Sequence, residues 1–214
     1  MRRRPTLDRC WCVAALTWLS WLLPQGAVAQ PQPLPTCADC ESEEQHSGFY
    51  MRLSVGLGAT AVEGRVGTSA AFGGSSSFAF GYFILPNLAL SLDLFGANAY
   101  NVELSSEWTS PEPAAEFDVR SLAAGVSFTY YLPLDFYVSA GPGVGWLMLS
   151  TALAQPQLSG AGFAFDALAG REFWIGGSWA LGAGVQFIYV RGDGGIDAVD
   201  AAWSLGTLFT VTKN

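Results

Sequence analysis

Arg52, Asp93 and Asp166 each interrupt a run of apolar and small side chains. In Met51-Arg52-Leu53-Ser54-Val55-Gly56-Leu57 the large apolar residues fall on one parity. Arg52 shares the other with Ser54, Gly56 and Gly58. Asp93 sits the same way among Leu90, Leu92 and Leu94, and Asp166 between Phe165 and Ala167. Successive side chains of a strand point to opposite faces, so period two puts all three charges on the small, polar face. All three lie a few residues from an expected short turn and can share a depth. Such a set could act as an internal ion cluster that fixes register, because an enclosed charge is costly unless paired. It could also line a gated path for protons or ions. Glu172 could join either arrangement, and Gln186 would stand higher on the same face.

Other chemistry finds little support. His46 is the single histidine, so a Ser-His-Asp constellation has no base within the patterned region. Gly141-Pro142-Gly143-Val144-Gly145 lacks the Gly-Lys-Ser/Thr ending of a phosphate loop. Cys37 and Cys40 form a CxxC for which three readings stay open. A small disulfide ring suits an oxidising compartment. A redox pair needs a helix N-terminus to lower the thiol pKa, and no such setting is visible. A zinc site needs two more ligands, with only His46 and nearby acids on offer. Glu103, Glu107, Glu112 and Glu116 share one segment, and Asp193, Asp197 and Asp200 another. They suit a solvated rim or loose divalent-cation contacts bridging anionic headgroups, but their spacing is not that of a calcium loop. Arg191-Gly192-Asp193 reads as the start of a turn. No cofactor or metal site is expected.

The positioning elements follow from the same rhythm. It is clearest from Phe173 to Val190, where Trp179, Leu181, Ala183, Val185, Phe187 and Tyr189 alternate with Ala180, Gly182, Gly184 and Gln186. It recurs from Phe49 to Val211 in about eight segments of roughly 10 to 14 residues, a length that suits tilted strands crossing a hydrocarbon layer. Short turns are expected near Pro86-Asn87, Leu132–Asp135 and Gly176-Gly177. Longer polar links are expected near Glu63–Ser69, Asn101–Glu116, Ala152–Ser159 and Gly192–Asp200.

The amino terminus is of another kind. Arg2, Arg3, Arg4 and Arg9 precede the uncharged run Cys10–Leu23, and Ala27-Val28-Ala29 offers a small-x-small cleavage site. This is the plan of a secretory signal peptide over residues 1–29, cut between Ala29 and Gln30. The run has 14 residues, too few for a helix that needs about 20 to span a bilayer. Residues 30–48 are Pro-rich and then acidic, with no period, and read as a flexible leader. The whole chain carries −8, and its first 29 residues hold four Arg and one Asp, so the chain from Gln30 carries −11. With Lys213 its single lysine, it is not built to bind nucleic acid.

The remaining question is which face looks outward. A soluble sandwich puts charge on its solvent face. Here the face opposite the Leu, Val, Phe and Tyr residues is mostly Gly, Ala, Ser and Thr, and residues 136–165 hold no charge at all. Small residues are what a narrow eight-stranded barrel can hold inside. Aromatics gather near strand ends as girdles would: Tyr82 and Phe83, Tyr130 and Tyr131, Phe136 and Tyr137, Phe173 and Trp174, Trp179, Tyr189 and Trp203. The expectation is an all-β chain, an eight-stranded antiparallel up-and-down transmembrane β-barrel over residues 49–212.

In this pattern, and in Gly170-Arg171-Glu172-Phe173-Trp174 followed by Trp179-Ala180-Leu181-Gly182, the chain resembles the OmpA/OmpX-type outer-membrane β-barrel superfamily. That family usually ends in a terminal aromatic. Here Phe209 and Val211 keep the alternation and Thr212-Lys213-Asn214 follow. Hydrolases and proteases built on similar barrels use a histidine, which residues 49–214 lack. The resemblance implies a monomer in the outer membrane of a Gram-negative bacterium. It also implies contact with lipid and lipopolysaccharide, assembly by the barrel-insertion machinery, and a structural or surface-interaction role without catalysis. The alternatives are a narrow, porin-like channel and a soluble lipocalin-like carrier whose apolar parity points inward.

Overall fold

The computed structural model describes residues 48–64, 67–103, 116–150, 156–176, 178–193 and 199–214. The expected cleavage site at Ala29 and Gln30, the Cys37 and Cys40 pair, His46 and the acidic residues Glu107, Glu112 and Asp197 lie outside them.

The alternating segments form long strands: β1 (Phe49–Gly64), β2 (Gly67–Leu85), β3 (Leu88–Glu103), β4 (Glu116–Tyr131), β5 (Phe136–Ser150), a two-residue β6 (Gln157–Leu158), β7 (Gly162–Gly176), β8 (Trp179–Arg191) and β9 (Ala201–Lys213). Every pairing is antiparallel and each long strand lies beside its neighbour in sequence. The ring closes where β1 pairs with β9, from Met51↔Lys213 to Glu63↔Ala201. Eight strands thus form a meander with no free edge, while β6 only folds back on β5 at Met148 and Leu149. Closure leaves no row of unpaired backbone groups, which is the condition for a sheet to exist in lipid.

One end of the ring carries tight reversals. Asn87 takes a left-handed φ of 64° after Pro86, and a 3-10 turn at Pro133–Asp135 holds Leu134 and Asp135 at φ 65° and 60°. Four connections lie at the other end, and one departs from expectation. The longer link expected at Glu63–Ser69 is a hairpin, with β1 and β2 paired through Glu63↔Thr68 to Gly64↔Gly67. Glycine permits this reversal, since Gly67 has φ 137°, which L side chains rarely adopt. Most strands also exceed the expected 10 to 14 residues, and β2 has 19. Ladder pairing continues beyond the length that a hydrocarbon layer requires, because strand neighbours satisfy the backbone in water as well as in lipid.

The parity assignment holds around the ring. Leu53, Val55, Leu57, Phe78, Phe80, Leu92, Leu94, Val185 and Leu205 point out, and Phe209 is 75% exposed. Ser54, Ser77, Ser91, Ser127, Thr129, Ser139, Gln186 and Thr210 point in and are buried. The girdle expectation needs correction. Of three adjacent aromatic pairs, Tyr82, Tyr130 and Phe136 are exposed, whereas Phe83, Tyr131 and Tyr137 are buried inside. Neighbours on one strand cannot share a face, so one member of each pair had to enter the lumen.

Pro142, inside β5, leaves the β4–β5 ladder unpaired between Gly125↔Gly143 and Phe128↔Ala140. Proline has no N–H to give. On the other side β5 stays paired with β7 through Gly141↔Asp166 and Pro142↔Phe165.

Candidate functional site: the lumen

Arg52, Asp93 and Asp166 all point into the barrel and are buried. The register links two of them, since Arg52 pairs with Ala79, which pairs with Asp93 on β3. Asp166 lies across the ring on β7, opposite Gly141 and Ile188. The three share the lumen without touching, and hydroxyls and an amide stand beside each charge instead. Arg52 Nη2 donates to Ser139 Oγ at 3.1 Å, and its guanidinium lies over the Tyr137 ring at 5.1 Å and the Tyr50 ring at 5.9 Å. Ser127 Oγ donates to Asp93 Oδ2 at 3.2 Å. Gln186 Nε2 donates to Asp166 Oδ1 at 2.7 Å, so Gln186 belongs with this set. A chain of hydroxyls runs from Tyr50 through Thr129 to Ser139, where Arg52 joins it.

Glu172 is the best-held charge in the barrel. Tyr131 Oη donates to its Oε2 at 3.0 Å, and Thr212 Oγ1 donates to its Oε1. Inward glycines make the space. A Cβ on Gly182 would lie 3.0 Å from Glu172 Cγ and 2.5 Å from Thr210 Oγ1, and one on Gly170 would lie 2.6 Å from Tyr137 Oη. Tyr131→Phe removes a donor to a buried carboxylate and is expected to cost about 1.5–3 kcal/mol. Denaturant midpoints of the refolded barrel, wild type against variant, measure this.

Above and below the polar layer the lumen is apolar. Toward the loop end, Val62, Phe95, Val102, Val119, Leu147, Leu149, Ile188 and Val190 form one buried cluster. Toward the tight turns, Tyr50, Phe83, Tyr131, Tyr137, Leu168 and Leu208 form a second. The Phe83, Tyr131 and Tyr137 rings follow one another at centroid distances of 5.9 Å. Arg52, Asp93 and Asp166 therefore lie between two packed clusters, while Glu172 is held at the turn-side one through Tyr131. Sequence reading missed both plugs, although Ile188 and Val190 continue the parity of Gln186, and Leu147 and Leu149 that of Gly145.

Of the acidic rim residues, Glu107, Glu112 and Asp197 lie outside the described residues, so the choice between a solvated rim and loose cation contacts stays open. Asp193 and Asp200 are exposed, and no group of three or more His, Cys, Asp or Glu among the described residues could hold a metal ion. The Arg191–Asp193 segment ends β8. Gly192 N donates to Asp200 O at 3.1 Å and Asp193 N to Gly160 O at 3.3 Å, which ties two loop bases together.

An apolar outer wall, a closed antiparallel ring and a filled polar lumen define the fold as that of a small eight-stranded outer-membrane β-barrel. No protein-family model and no curated protein matches the chain. Solved structures do. Neisserial surface protein A (NspA) matches with a TM-score of 0.53 at 18% identity, over 78% of this chain and 98% of that one. The outer membrane protein OprG from Pseudomonas aeruginosa matches with a TM-score of 0.44 at 12% identity, over 79% of this chain and 98% of that one. Ail, the attachment invasion locus protein of Yersinia pestis, matches with a TM-score of 0.39 at 13% identity, over 77% of this chain and 99% of that one.

Proposed function

We propose that this chain is exported by a cleavable signal peptide over residues 1–29 and spans a bacterial outer membrane as a closed, non-catalytic monomer. Its role in this reading is structural or surface-interacting, with loops as the contact surface and outer-membrane lipid and lipopolysaccharide as its surroundings. The observation that carries the reading is the pair of apolar plugs. Leu147 and Ile188 pack on the loop side of Arg52, Asp93 and Asp166, and Phe83 and Leu168 on the turn side, which supports a filled lumen. An apolar constriction in a narrow lumen opposes the passage of ions.

The soluble-carrier reading requires the large apolar parity to line the inside, and here it lies outside. The narrow-channel reading is favoured by one observation: Arg52, Asp93 and Asp166 line the lumen without pairing to one another. Planar-bilayer recording separates the two. The closed reading predicts no conductance steps from the refolded wild type. Steps that change when Asp93 or Asp166 becomes Asn would establish a channel instead.

A further inference from the structure

The outer wall has a depression in its loop-side half. Lower on the wall, β2 and β3 present Phe78, Phe80, Leu92 and Leu94 to the outside. Further toward the loops the same outward parity carries Ser76, Gly74, Gly96 and Asn98. Missing side chains leave a groove of about 780 Å³ across β2, β3, β4 and β5, walled by residues that include Leu94, Leu122 and Trp146. That volume falls in the range of small-ligand sites, about 300–1,000 Å³.

Two features say what fits. The groove surface is mostly apolar, and one of its polar atoms, Asn98 Oδ1, is already taken by Gly74 N at 2.8 Å. At the rim stands an exposed cation, Arg120, in register with Asn98 on one side and Met148 on the other. Arg120 is four residues from the loop end of β4, where a long side chain can reach an interfacial anion. A planar guanidinium matches phosphate with two parallel hydrogen bonds. An apolar trough with a cation at its loop-side rim complements an amphiphile with one anionic head and a chain running toward the membrane centre.

We propose that this groove seats an acyl chain of a phosphorylated glycolipid of the lipopolysaccharide type, with Arg120 holding its phosphate. The choice of lipid rests on the outer-membrane reading above, which puts the loop side against the lipopolysaccharide leaflet. The groove then acts as a fixed lipid site rather than an average patch of wall.

The test uses the chain from Gln30 to Asn214, refolded in zwitterionic detergent with purified lipid A or, separately, phosphatidylglycerol. Bound lipid is counted by native mass spectrometry. Wild type is expected to retain one lipid A per barrel through detergent exchange. Arg120→Gln and Ser76→Phe, which fills the trough, should each lower retention by about tenfold or more. Arg191→Gln, a loop-side cation outside the groove, should leave it unchanged. Equal retention by all variants, with the compact unboiled gel band intact, overturns the site. So does retention of phosphatidylglycerol on the same residues at the same level, or a particle of two chains and no lipid. Loss of the compact band in the wild type would instead overturn the barrel reading on which the site rests.

Discussion

Replacing Arg52 by Met is expected to cost the folded barrel about 1.5–3 kcal/mol, because it removes the charged donor to Ser139 Oγ and the buried cation that faces the lumen carboxylates. Among the described residues, Arg52 is the buried cation, and its charge acts on Asp93, Asp166 and Glu172. Met is close to Arg in length and apolar, so the loss of volume is small and electrostatics dominate the effect. The structure also predicts how to recover the loss. Arg52→Met combined with Asp93→Asn and Glu172→Gln removes the cation together with two of the three carboxylates its charge acts on, and should regain part of the stability. Denaturant midpoints for the single and triple variants in one detergent provide the measurement. A triple variant weaker than Arg52→Met alone would show that the hydrogen bonds of Asp93 and Glu172, rather than charge balance, dominate the layer.

The second large effect separates the two faces of one wall. Leu147→Ala should cost about 2–5 kcal/mol, the range for opening a cavity in a packed core. Leu147 has no exposed surface and sits in the loop-side plug. Leu92→Ala makes the same chemical change on the outer wall, where the side chain is 67% exposed. There, lipid or detergent chains close around the smaller residue and no cavity persists, so the loss should be clearly smaller. Equal losses would mean that the outer wall is packed against protein.

Much of this architecture was legible from period alone. Trp179–Val190 alternates so regularly that strand, faces and parity follow from the residue order, and the same holds from Leu122 to Tyr130. Period two describes one strand, however, and the plugs are made between strands. Leu147, Ile188, Phe95 and Val62 meet because of the stagger of the ring, and nothing in any single segment announces that register. Glu172 shows the same limit: its partners Tyr131 and Thr212 lie 41 and 40 residues away. The aromatic pairs failed for a different reason. Adjacent rings at a strand end look alike in composition, and only strict parity separates the lumen ring from the girdle ring. The charges and glycines of Glu63–Ser69 suit a loop, yet Gly67 equally suits a tight hairpin.

The central claim, a closed ring with its apolar face outward, is tested most directly by heat modifiability. The chain from Gln30 is refolded in detergent and run on a denaturing gel, boiled and unboiled. A faster-migrating unboiled band is expected, since a closed eight-stranded ring stays compact in the gel detergent until heat opens it. A chain that instead refolds as a soluble monomer in plain buffer, with one gel mobility under both treatments, would contradict it.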